Sequence, residues 1–160
     1  MGLDFTLFWI KKSEGDISTQ YFNRWNYEDD EKHTLAYARK GWELVYALKG
    51  DVRNGGFCQL KLENWIDLME KLSSIGPFLE EIWDAYYTLD NVDDEDIDKY
   101  PRENQLINTY MRWYNKNFND APQLGYQFSV GYMLNFWNAA DKVIKYLEDP
   151  EYEVWMDVDY

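Results

Sequence analysis

The chain has 160 residues, with Cys58 its one cysteine and His33 its one histidine. Those two side chains could form a thiolate–imidazole pair, the simplest nucleophilic machinery available to the sequence. Cys58 stands between Phe57 and Gln59-Leu60, and a lone cysteine among apolar neighbours reads as a buried structural residue. His33 has no second histidine and no Cys-X-X-Cys near it, which argues against zinc. The acidic run Asp90–Asp98 lacks the glycine and the bidentate glutamate that an EF-hand loop needs at its sixth and twelfth positions. There is no Gly-X-Ser-X-Gly, and no Gly-Lys-Ser/Thr follows the glycines between Gly50 and Gly56, so neither a nucleophile elbow nor a phosphate loop is written here. The expectation is no catalytic residue, no metal and no cofactor.

Carboxylates are too abundant to point anywhere alone. Asp and Glu number 30 against 16 Lys and Arg, a net charge of −14. Many pairs could be drawn for acid–base work, and that abundance makes each uninformative. Arg39 and Lys40 read as ordinary surface ion-pairing groups. The overall charge is more telling. It repels nucleic acid and anionic membranes, which bind through Lys and Arg, and it attracts basic protein surfaces.

Aromatic residues make up 19% of the chain, including 8 Trp and 14 Tyr. Trp25, Tyr27, Tyr86, Tyr87, Tyr100, Trp113, Tyr114, Tyr126 and Tyr152 are too many for one core, and exposed Tyr and Trp are enriched at interfaces. Acidic runs beside exposed aromatics predict a partner-binding set: Glu28, Asp29, Asp30 and Glu31; Asp93, Asp94, Glu95 and Asp96 with Tyr100; and Trp155 and Asp157 in the tail. The expected partner is a protein with a basic surface.

Several elements must position these groups. Leu35, Ala38, Trp42 and Val45 predict a half-buried helix over Thr34–Lys49, with Glu43 off its buried stripe and Gly50 ending it in the left-handed conformation. Leu3, Phe5, Leu7 and Trp9 alternate with Asp4, Thr6, Phe8 and Ile10, a strand covered on both faces towards its end. Phe57–Leu62 reads as a short strand. Helices follow over 63–74, with Trp65, Ile66, Met69 and Leu72 inward, from Pro77 to about Leu89, with Leu79, Ile82, Trp83 and Tyr86 inward, and from Pro101 to Phe118. A last helix carries Met133, Phe136, Trp137, Ala140, Val143, Ile144 and Leu147, and Tyr152–Asp159 alternates like a strand. Asp90–Asp98 reads as a mobile, solvated connection. The fold expected is a single α+β domain over 1–160, mostly helical with about five helices, its small sheet made by the N- and C-terminal strands.

Met1-Gly2-Leu3-Asp4, Tyr37-Ala38-Arg39-Lys40, Gln59–Leu72 and Phe128-Ser129-Val130-Gly131-Tyr132 resemble segments of a family of small uncharacterised bacteriophage and prophage proteins. Trp42 stands where that family usually has Asn, and Ala38 where it has Trp. The resemblance implies a phage or mobile-element origin and transfers no catalytic residue. Charge, aromatics and resemblance together predict an acidic inhibitor, cytoplasmic in a bacterial host, that blocks the basic groove of a nucleic-acid-handling or defence protein, as an anti-CRISPR protein does. No direct nucleic-acid binding and no membrane association are expected. The alternatives are a carboxylate- or metal-dependent enzyme acting on a nucleotide or sugar, and a self-associating structural phage protein such as a homodimer.

Overall fold

The computed structural model describes residues 3–21, 33–50, 56–118 and 126–159. Both ends of the chain enter one antiparallel sheet. Strand β1 (Asp4–Lys11) is followed by a short helix α1 (Ile17–Tyr21), then β2 (Thr34–Arg39), α2 (Trp42–Ala47) and β3 (Gly56–Gln59). Helices α3 (Leu62–Leu72), α4 (Leu79–Asp90), α5 (Pro101–Asn117), α6 (Tyr126–Asn138) and α7 (Ala140–Glu148) come next, and β4 (Tyr152–Asp159) closes the chain. The strand order is β2-β1-β4-β3. β1 and β4 pair along their whole length, from Asp4 opposite Asp159 to Lys11 opposite Tyr152. The fold is therefore α+β, with a four-stranded sheet that the two terminal strands centre.

Alternation along β1 sends Phe5 and Leu7 to one face, opposite Val158 and Met156 of β4. The helices pack on that face. Phe136 of α6 stacks on Phe5 at 5.7 Å, and Trp65 of α3 lies 6.0 Å from Phe136. Trp65 also donates from Nε1 to the Ala140 carbonyl (3.4 Å), tying α3 to the junction of α6 and α7. On the other face Phe8 and Ile10 are buried too, as the doubly apolar end of the strand predicts.

The helix expected over Thr34–Lys49 is not one element. Thr34–Arg39 is a strand, with Ala38 and Ala36 opposite Phe5 and Leu7 of β1. Lys40 takes a left-handed φ of 57°, and only then does α2 begin. Gly41 is the hinge: a β-carbon there would meet that of Ala38 at 2.9 Å, so the turn out of the strand needs a residue without one. The left-handed residue after α2 is Lys49, at φ 57°, rather than Gly50.

The last expected helix is two, divided at Ala139 between α6 and α7. In α4 the buried residues are Leu79, Ile82 and Ala85, whereas Trp83 is half exposed; in α3 they include Trp65, Leu68 and Leu72, with Ile66 exposed. Within the expected connection over Asp90–Asp98, Asp90 ends α4 and Asp94–Lys99 forms a 3₁₀ run before α5. No helix among the described residues is long and apolar enough to cross a membrane.

Candidate functional site

Because Leu79, Ile82 and Ala85 face the core, helical geometry turns Glu80, Trp83, Asp84 and Tyr87 outward. Glu80, Glu81 and Asp84 are exposed, and Trp83 and Tyr87 are 42% and 70% exposed. Trp83 is held from behind: a β-carbon on Gly131 of α6 would lie 3.2 Å from its ring. A fixed indole and a free phenol thus stand one turn apart between carboxylates.

The acidic surface continues past the end of α4. Asp93, Asp94 and Glu95 are exposed, Asp96 accepts from Lys99 Nζ at 2.7 Å, and the half-buried Tyr100 leads into α5 with its carbonyl accepting from Asn104 Nδ2 (2.9 Å). Arg102 on α5 donates to Glu81 on α4 at 3.1 Å, both side chains being well exposed. Glu80, Glu81 and Asp84 of α4 and Asp93, Asp94, Glu95 and Asp96 of the connection therefore occupy one stretch of helix, turn and helix start.

A polar cluster is buried beneath the helical layer. Glu43 on α2 is 2% exposed, and its Oε2 accepts no hydrogen bond. Burial pushes its carboxyl up to about 7, against hydrogen bonding from its own backbone N–H and from Tyr114. Tyr110 and Ser129 share a hydrogen bond of 2.5 Å. Burial raises the Tyr110 phenol well above its ordinary range, the Ser129 bond opposes this, and nearby Glu43, Tyr114 and Tyr86 add to it. Tyr86 from α4, Tyr110 and Tyr114 from α5 and Ser129 from α6 thus gather with Glu43 on the inner side of the helices that carry the acidic surface.

A third feature lies where β3 parts from β4. Leu60 N–H donates to the Val154 carbonyl (2.8 Å), after which the chain leaves for α3 and Tyr152 and Glu153 run on past the end of β3. The notch of about 470 Å³ is lined by Gln59, Lys61, Glu63, Leu147, Tyr152 and Glu153, among others. Nearby, Trp9 stacks on His33 at 4.0 Å and on Tyr146 at 5.2 Å, with Tyr152 edge-on at 5.4 Å. The His33 Nδ1 lies 2.9 Å from the Trp9 carbonyl. One lysine and two glutamates give the notch no single charge to recognise.

The expected site residues fall into three groups. Glu28, Asp29, Asp30 and Glu31, with Trp25 and Tyr27, lie outside the described residues. Asp93, Asp94, Glu95, Asp96 and Tyr100 come together in the α4–α5 connection. Trp155 and Asp157 are instead in β4, an interior strand, where Trp155 is half-buried and Asp157 is 5% exposed. Cys58 is half-buried on β3 rather than fully buried, and β4 separates its strand from β1, on which His33 stacks. The thiol and imidazole are not assembled as a pair.

Among the described residues no group of three or more His, Cys, Asp or Glu is placed to hold a metal ion. Sequence reasoning missed Glu80, Glu81, Trp83, Asp84 and Tyr87 as a surface, and Glu43 as a buried acid. The i,i+4 step from Trp83 to Tyr87 beside Glu80 and Asp84 was a usable signal for the first. Glu43 had none, since its tyrosines lie far along the chain. No family model, no curated protein and no solved structure matches this chain.

Proposed function

We propose that this protein is an acidic protein-binding inhibitor that occupies a basic nucleic-acid groove on a partner. The observation that carries the reading is the outward side of α4 and its connection to α5. There Glu80, Glu81, Asp84, Asp93, Asp94 and Glu95 are exposed, with Trp83 and Tyr87 set among them. The carboxylates take the place of phosphates, and the two rings supply the apolar anchor that a charge-only contact lacks. Tyr87, 70% exposed, is the most exposed large hydrophobic among the described residues.

The phage-like opening of the sequence supports a target inside a bacterial host, a nucleic-acid-handling or defence protein of the kind anti-CRISPR proteins block. The enzyme alternative calls for two or three acids converging on a cavity. Glu43 belongs to the helical layer. Asp157 follows the core-facing Met156 and precedes Val158, so it points to the opposite face of the sheet. The two buried acids among the described residues do not share a site.

The reading is tested by capture at low salt, stepped elution, and competition of the recovered partner against a labelled oligonucleotide. We expect release at moderate salt and mutual exclusion with the oligonucleotide. Reversing charge at Glu80 and Asp84 to Lys should weaken binding by about tenfold or more, and Tyr87→Ala by a similar factor. Affinity indifferent to salt, or a partner that holds chain and oligonucleotide together, would remove the proposal.

A further inference from the structure

Two grooves lie side by side between α4 and α5, and Arg102 lines both. The first, about 320 Å³, is walled by Phe78 and Ile82 of one helix side and by Leu106, Gln105 and Thr109 of the other. Phe78 is 49% exposed although it is large and apolar, and the Thr109 hydroxyl is satisfied within its own helix, donating to the Gln105 backbone carbonyl at 2.8 Å. The second, about 220 Å³, is polar and presents Glu81, Asp84 and Glu103. Arg102 divides the two, held by Glu81 at 3.1 Å.

We propose that the α4–α5 cleft is a two-part docking site for a basic helical segment, seating one aliphatic side chain against Phe78 and Leu106 and one Arg or Lys among Glu81, Asp84 and Glu103. The inference rests on the acidic-docking reading above and names the partner surface that reading leaves general. Charge complementarity selects the occupant. Three carboxylates against one arginine leave an excess of two negative charges, which an incoming cation offsets. The neighbouring groove has no charge but Arg102, so it takes an apolar side chain. From the positions of the lining residues along α4, the two centres are roughly 5–7 Å apart, about one helical turn, so a helix carrying the two side chains at i and i+4 spans them.

Arg102 is then an internal competitor. Its guanidinium already pairs with Glu81, one of the three carboxylates that the partner's cation must reach, and it is exposed enough to swing away at little cost. Removing it should improve binding of the basic segment, whereas a groove that recognised an acidic or neutral ligand through Arg102 would be weakened by the same change.

The test uses fluorescein-labelled, alanine-based helical peptides of about 20 residues, read by anisotropy with the intact protein at about 50 mM salt. One peptide carries Leu and Arg at i and i+4, a second has the same residues at i and i+2 on divergent faces, a third lacks Leu and a fourth lacks Arg. We expect the first to bind about tenfold more tightly than each of the others, the amount that burial of one aliphatic side chain supplies. Arg102→Ala should tighten it severalfold, and Phe78→Ala should bring it down to the level of the peptide without Leu. Both substitutions are at exposed positions, and an unchanged circular dichroism spectrum certifies the fold.

Equal binding of all Arg-bearing peptides overturns the two-part site while leaving the general acidic-docking reading standing. Absence of binding by every peptide overturns it also, and the oligonucleotide competition then decides the broader reading separately. Weaker binding by the Arg102→Ala protein reverses the assignment of the polar groove and sinks the proposal.

Discussion

Among the described residues Glu43 carries the clearest pH dependence. Its carboxyl is 2% exposed and is raised by burial from 4.5 to about 7 in the folded protein. A raised acid holds its proton longer when folded than when unfolded, so the folded state is favoured below the ordinary carboxylate value. That advantage is lost as the pH climbs through the folded value. A shift of about 2.5 units at 1.36 kcal/mol each corresponds to roughly 3 kcal/mol between pH 4.5 and pH 8. Glu43→Gln keeps the volume and removes the titration. Its stability, measured by urea unfolding across that range, should lack this slope, so that the variant gains on the wild type as pH rises. Parallel profiles for the two proteins between pH 5 and 8 would show that Glu43 is already ionised, or already solvated, in the fold. Nothing in the local sequence announces this residue. Burial of Glu43 is a property of Tyr110 and Tyr114 arriving from α5, whereas the helical pattern of residues 34–49 leaves it off the buried stripe.

At the scale of elements, most of the architecture was legible because the patterns were local and strong. The alternation in Leu3–Ile10 and in Tyr152–Asp159 marked the two central strands, Pro101 marked the start of α5, and Pro77 marked a 3₁₀ turn over Gly76–Phe78 that leads into α4 at Leu79. Thr34–Arg39 was not legible in the same way. Leu35, Ala36 and Ala38 suit a helix by propensity, yet pairing with β1 places Ala36 and Ala38 beside Leu7 and Phe5, where small side chains fit between large ones. The overlooked signal was Gly41, a breaker in the middle of the supposed helix. The two readings give opposite signs for one substitution. In a continuous helix Gly41→Ala would stabilise by about 1 kcal/mol. In the strand–turn–helix observed, the added methyl meets the Ala38 β-carbon at 2.9 Å, and overpacking of that kind costs roughly 1–3 kcal/mol. Urea midpoints of the wild type and the variant decide between them. The same reasoning covers the surface: Asp93–Asp96 could be read as a run, whereas Trp83 was assigned inward because Ala85, the true inward residue, is too small to stand out in a hydrophobic pattern.

For the whole molecule the governing quantity is the net charge of −14 on 160 residues. Surface carboxylates without matching cations repel one another in the compact state and less so in the expanded one, so charge lowers stability while it keeps the chain from associating. The ion pairs seen at Lys99–Asp96 and Arg102–Glu81 are exposed and relieve little of this. Added salt shortens the Debye length from about 30 Å at 0.01 M to about 8 Å at 0.15 M, which screens the repulsion spread over the surface. Stability should therefore rise with sodium chloride, read as a higher urea midpoint. The docking proposed for the α4–α5 side uses the same charges in the other sense, as attraction to a basic partner, and its affinity should fall over the same salt range. Opposite slopes for folding and for partner binding, measured on one protein in one buffer series, are what a surface of unneutralised carboxylates requires. If stability fell with salt as well, the attractive pairs within the fold would outweigh the repulsion. The acidic surface would then be serving the protein's own structure rather than a partner.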